Sequence, residues 1–108
     1  MVHHCVQELG TKEFERIISD KGLLIVDFFA EWCMPCLMMA PVFEELCDKF
    51  KGKVKFAKVN IDDNSGLAGK FKVMSIPTII AFKNGKEVKR FIGAMQPDDL
   101  ENKIDGLI

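Results

Sequence analysis

Between Leu23 and Ala30 the chain reads LLIVDFFA, an apolar run broken only by Asp27 and lacking the alternation of a half-exposed strand. Such a run of aliphatic and aromatic residues predicts a strand covered on both faces, so helices must lie on either side of it. Thr11 can cap a helix over residues 12–20 whose apolar face holds Phe14, Ile17 and Ile18, with Gly22 as its stop. From residue 33 to 50, Leu37, Ala40, Phe43, Leu46, Cys47 and Phe50 recur at three- and four-residue steps, which predicts a long amphipathic helix opening at two cysteines. Pro41 falls inside it and should kink it, because proline lacks the amide hydrogen for the bond back to residue 37.

Val54–Ile61 (VKFAKVNI) reads as another strand, and NSGLAGKF as a short, glycine-weakened helix or turn. TIIAF, after Pro77, is a further buried strand. Asn84-Gly85 is a two-residue hairpin signal, which makes EVKRFIG antiparallel to the strand before it. Pro97 opens a closing helix with acids in its first turn and Leu100, Ile104 and Leu107 on one face. An edge strand is expected ahead of the first helix, near His3 and His4, and this histidine pair reads as solvated rather than as a metal site. The order β-α-β-α-β-α-β-β-α predicts an α/β fold over residues 1–108, a single domain. Its sheet of about five strands should be mostly parallel, with right-handed crossovers, helices on both faces and an antiparallel terminal hairpin. Chemistry in such sheets gathers beyond the carboxyl ends of the strands, where Cys33 and Cys36 fall.

Composition narrows the function classes. In 108 residues, 29% are charged yet the formal net charge is only −1, so no field draws in nucleic acid or an anionic membrane. The first residues, MVHHCVQELG, have no basic start and long apolar run, and no segment approaches the roughly 20 apolar residues of a membrane span. A cytoplasmic setting is the expectation.

Candidate chemistry centres on AEWCMPCLMMAP, residues 30–41. A closed zinc site needs about four ligands, usually in two close pairs, and this chain offers one pair, so no metal is expected. Cys5 and Cys47 stand alone, and Cys47, on the apolar helix face, reads as a small buried thiol. A structural disulfide is not expected in a cytoplasmic chain with a sizeable core. A helix start supports a third reading. Cys33 there faces unpaired backbone amides and the positive end of the helix dipole, both of which favour a thiolate and lower its pKa. A thiolate attacks disulfides, which makes Cys33 the nucleophile, while Cys36, one turn deeper and more buried, waits protonated. Pro35 has no amide hydrogen and stiffens the turn, leaving the Cys36 amide as the donor for the Cys33 sulfur.

The segments VDFFAEWCMPC, MMAP, FAKVNID, SIPT, FKNG and FIGA, in this order and spacing, resemble the thioredoxin family over essentially the whole chain. The resemblance implies the thioredoxin fold and a thiol–disulfide oxidoreductase that reduces protein disulfides, with no cofactor beyond the Cys33–Cys36 pair. It implies that Asp27 is a buried acid relaying a proton to and from Cys36, that Lys58 approaches this acid, and that Pro77 is a cis-proline packed on the disulfide. Ile76 then takes the place whose backbone pairs with an incoming peptide, Trp32 shields the nucleophile, and Gly93 marks a bend open to substrate backbone, so the groove is formed by Trp32, Met34, Pro35, Ile76 and Gly93. The partners implied are disulfide-containing proteins and a flavin- or ferredoxin-linked reductase, with the chain acting as a monomer. The bland alternatives are an Asp27 turned to water, an outward-facing Lys58, a trans Pro77, a core Trp32 and a Gly93 that only marks a bulge. Met34 stands where glycine is common in the family and Leu37 where a cation is common, changes that raise thiol pKa and alter redox poise. Phe29 replaces a frequent tryptophan. Leu37, Met38 and Met39 are expected in the core rather than as an apolar lip for partners. Two other function classes fit the same residues: an oxidant or isomerase of this fold, and a non-catalytic module or a metal carrier bridged between subunits.

Overall fold

The computed structural model describes residues 4–108. Its elements in order are β1 (Gln7–Glu8), α1 (Thr11–Ile17), β2 (Leu23–Phe29), α2 (Met34–Lys49), β3 (Val54–Asn60), α3 (Ser65–Lys70), β4 (Thr78–Lys83), β5 (Lys86–Ile92) and α4 (Pro97–Asp105). They build one five-stranded sheet in the order β1-β3-β2-β4-β5. The run LLIVDFF is central and buried, as its pattern requires. Side chains of a strand alternate between faces, and β2 sorts accordingly. Leu23 and Ile25 pack with Met39, Phe43, Leu46, Leu100 and Ile104 of α2 and α4. Leu24, Val26 and Phe28 pack with Phe14 of α1 and Leu67 of α3. Asp27 falls by this alternation on the α2 side, beneath the cysteines.

The α/β thioredoxin fold expected from the sequence is the fold observed, with its antiparallel terminal hairpin. The sheet is less parallel than anticipated: β3 pairs in parallel with β1 and β2, whereas β4 runs antiparallel to both β2 and β5. The connection between β3 and β4, residues 61–77, holds only the six-residue α3, and it leaves the chain at the end of the sheet where β3 finishes. β4 therefore enters at the carboxyl end of β2, Thr78 opposite Phe28, and runs backwards. This reversal brings Pro77 to the end of the sheet where the cysteines lie.

Smaller departures have local causes. Gly10, not Thr11, is the N-cap of α1, and the Thr11 hydroxyl turns instead to Asn64 Oδ1 at 3.0 Å. The helix ends at Ile17 rather than residue 20, and Gly22, with φ +101°, forms part of a turn in which its amide donates to Asn84 Oδ1 at 3.1 Å. Asn84 and Gly85 both take positive φ, as a tight two-residue hairpin demands. The first strand is Gln7–Glu8, so His4 precedes it; His3 lies outside the described residues.

Cys47 is not a lone thiol. It is disulfide-bonded to Cys5 across a sequence separation of 42, which overturns both the free-thiol reading and the expectation of no structural disulfide. The pairing escaped the sequence reading because nothing local to either cysteine reports a partner that far along the chain. Of the Leu37, Met38, Met39 trio only Met39 is core, at 2% exposure; Leu37 and Met38 are 50% and 70% exposed and form surface. On a helix resting on a sheet, three consecutive positions cannot all face inward.

Candidate active site

Four chain segments meet at the carboxyl end of β2 and β3: the start of α2, the β3–α3 turn, the loop entering β4 and the exit from β5. Cys33 is the N-cap of α2, with extended backbone, and its Sγ accepts a hydrogen bond from the Cys36 amide at 3.2 Å. Met34 and Pro35 fill the first helical positions, so the proline removes no bond the helix needs. Cys33 and Cys36 are joined, with Cα atoms 5.2 Å apart. The two cysteines are equally covered, at 4% and 3% exposure, so burial does not distinguish them as expected. Their surroundings do. Cys33 Sγ lies 3.8 Å from the Ile76 carbonyl oxygen, whereas Cys36 lines a cavity together with Asp27 and Lys58.

The Ile76–Pro77 bond is cis, which excludes the trans alternative. The Gly93 amide donates to the Pro77 carbonyl at 2.8 Å, and Gly93 has φ +92° with no atom near its missing side chain. Its glycine is therefore required by backbone conformation, at the point where β5 passes the cis bond. Trp32 is no core residue: it is 69% exposed, and its indole N–H donates to Asp62 Oδ2 at 2.8 Å. Asp62 is held in turn by its amide bonding to Asn60 Oδ1 at 2.9 Å. The sequence reading did not single out Asp62, although the NIDD turn after β3 carries the signal: a short run of turn formers at the carboxyl end of a strand.

Asp27 is 3% exposed, and its Oδ1 has no hydrogen-bond partner. Burial without compensation pushes its pKa from the ordinary 3.8 up to about 7, and the positive charge of Lys58 only partly opposes this. Lys58 stands opposite Asp27 in the parallel β2–β3 register, and its Nζ lies over the Phe29 ring at 5.5 Å. Both side chains line a cavity of about 420 Å3, so neither the solvent-turned Asp27 nor the outward Lys58 describes the molecule. The cavity's other walls include Cys36, Glu44, Val6 and His4. Glu44 is a residue the sequence did not flag. Its carboxylate accepts the amides of Cys5 at 2.6 Å and Val6 at 3.2 Å, and no local pattern announces an acid that caps a segment 39 residues away.

The thioredoxin family model matches residues 5–106. A thioredoxin of Chlorobaculum thiosulfatiphilum is 44% identical over 100 residues, covering 91% of this chain and 92% of that one. A thioredoxin of Haemophilus influenzae is 41% identical over 101 residues, with 93% and 94% covered. A thioredoxin of Staphylococcus aureus is 43% identical over 86 residues, with 80% and 83% covered.

Proposed function

This chain belongs to the thioredoxin family and is a thiol–disulfide oxidoreductase, and from that premise we propose that it works as a reductase of protein disulfides with Cys33 as nucleophile and Cys36 as resolving thiol. The observation that carries the assignment is the asymmetry between the sulfurs. Cys33 Sγ already accepts a backbone amide at the positive end of α2, which favours a thiolate there, while Cys36 faces the cavity that holds Asp27.

In the first step the Cys33 thiolate attacks one sulfur of a partner disulfide; that S–S bond breaks and the other partner sulfur leaves as a thiolate. Cys36 then gives its proton to the Asp27 carboxylate and its thiolate attacks Cys33 Sγ. The mixed disulfide breaks, the second partner sulfur is released, and the partner has gained two electrons and, from solvent and relay, two protons. With a titration point near 7, Asp27 can take and return a proton at neutral pH. Lys58 tunes the acid. The exposed side chains of Trp32 and Met34, the Pro35 turn, the Ile76 backbone beside cis-Pro77 and the Gly93 bend form the groove for the partner's disulfide segment. A flavin- or ferredoxin-linked reductase restores the dithiol, no further cofactor is needed, and a monomer suffices. Among the described residues no helix is long and apolar enough to cross a membrane, and a cytoplasmic setting fits a reductase.

The first turn of α2 favours reduction over oxidation. With Met34 and Leu37 in place, that turn holds neither an acid nor a cation, so the thiolate is stabilised only by backbone and dipole, and strong oxidants of dithiol type are those whose reduced form is stabilised most. Insulin reduction driven by dithiothreitol tests the reading beside Cys33→Ser and Cys36→Ser. Both variants lose turnover, and only Cys36→Ser accumulates a stable mixed disulfide. Equal trapping by the two reverses the roles; a glutathione titration that places the pair well toward the oxidising side selects the oxidant instead.

A further inference from the structure

Helix α2 carries a disulfide at each end, and its dipole treats the two oppositely. Cys33–Cys36 sits at the amino end, where a thiolate is stabilised. Cys47 sits in the last turn, about 16 Å from Cys36 along the axis, at the negative end of the helix dipole and inside the apolar cluster with Leu46 and Phe50. Both surroundings disfavour a thiolate there. Lys49 in the same turn is engaged by Glu101 at 2.7 Å.

Cys5 anchors the short segment that leads into β1. The strand that follows it is two residues long. The amides of Cys5 and Val6 donate to Glu44, Val6 is 5% exposed, and His4 and Val6 line the cavity that reaches Asp27. The groups facing Asp27 across this space are Lys58 from β3, Cys36 and Glu44 from α2 and His4 from the segment itself; its neighbour on β4 is apolar Ile79.

We propose that Cys5–Cys47 is a second, harder-to-reduce redox switch: oxidised, it clamps residues 4–6 as the outer wall of the Asp27 cavity, and reduced, it releases that wall to water. Reduction requires an external dithiol. A thiolate of the dithiol attacks Cys5 Sγ, the half-buried partner, because Cys47 is only 5% exposed. The Cys5–Cys47 bond breaks and Cys47 leaves as a thiolate that takes a proton. The second thiol of the reductant then displaces Cys5, which takes the other proton, and the reductant departs as its own disulfide with two electrons transferred. The leaving group Cys47 is the poorly stabilised thiolate, so this pair opens after Cys33–Cys36 as the potential falls. Once the wall opens, hydration lowers the cost of the Asp27 carboxylate, and the resolving step acquires a more acidic pH midpoint.

The proposal rests on Asp27 as the relay acid, and the test separates the two. Stepwise dithiothreitol titration with alkylation and peptide mass mapping is expected to release Cys33 and Cys36 first and Cys5 and Cys47 only under more reducing conditions. Comparing the two-thiol with the four-thiol protein, amide exchange at Cys5 and Val6 is expected to accelerate roughly tenfold or more. The Asp27 carboxyl, followed by carbon NMR, is expected to titrate lower by about half a unit or more. Cys5→Ala/Cys47→Ala should reproduce the four-thiol behaviour; if it does not fold, the two states of the unmodified protein carry the comparison. Release of all four thiols together, unchanged exchange at Cys5 and Val6, or an unmoved Asp27 midpoint each overturns the switch. Failure of the relay reading shows elsewhere, as Asp27→Asn resolving the mixed disulfide at the normal rate.

Discussion

At the scale of single residues, the unpartnered Asp27 oxygen decides most. The folded protein holds the carboxyl protonated up to about pH 7, whereas the unfolded chain ionises it near the ordinary 3.8. Between those values the folded state binds the extra proton, so stability falls as pH rises through this window and levels off above it. Well below pH 3.8 both states are protonated and Asp27 costs nothing by this route. The shift corresponds to a loss on the order of 4 kcal/mol by pH 8. Asp27→Asn, which cannot ionise, should remove this slope. Urea denaturation at pH 4 and pH 8 checks it: the variant is expected to be the more stable protein at pH 8, with the difference fading toward pH 4. The same variant should slow mixed-disulfide resolution at neutral pH by roughly 10²-fold, the usual contribution of a positioned proton acceptor. Equal slopes for the two proteins would mean that Lys58 or water compensates the buried charge fully.

At the scale of elements, the opening turn of α2 sets the nucleophile, and its side chains leave the backbone to do so alone. Leu37 is half exposed one turn from Cys33, so Leu37→Lys can place a cation near the sulfur without disturbing the core. Alkylation of reduced Cys33 at pH 7 is expected to quicken two- to fivefold, the size of roughly 0.4–1 kcal/mol of near-surface attraction. How much of this site was legible in the chain depends on whether its signal is local. The buried run Leu23–Phe29, the cysteines at a helix start and the Asn84-Gly85 hairpin are written in neighbouring residues, and all three stand in the structure. Asp27 was conspicuous because it interrupts an apolar strand. The antiparallel entry of β4 was not, since nothing local to residues 61–77 says which end of the sheet they deliver the chain to. Glu44, Asp62 and the Cys5–Cys47 pair act on partners 30 or more residues away, and periodicity carries no information at that range.

At the scale of the whole molecule, the same long range gives Cys5–Cys47 its effect on stability. The folded chain has a radius of gyration of 12.6 Å, against roughly 33 Å for an unfolded chain of this length. A bond closing a loop across 42 residues therefore acts mainly by denying the unfolded ensemble part of that expansion, worth about 4 kcal/mol in the chain-entropy account. Two consequences can be separated. Cys5→Ala/Cys47→Ala should lose roughly 3–4 kcal/mol of unfolding free energy. It should also unfold with a steeper dependence on urea, because the uncrosslinked chain exposes more surface. The Cys33–Cys36 pair closes a loop of only a few residues, with a separation of 3, and its reduction should move the urea midpoint less. A protein that cycles one disulfide during turnover while a second restrains its unfolded state keeps its fold through the cycle. Denaturation of the oxidised, two-thiol and four-thiol forms should give one small step followed by one large one, and equal steps would place the stabilisation in native packing around the sulfurs rather than in the loops they close.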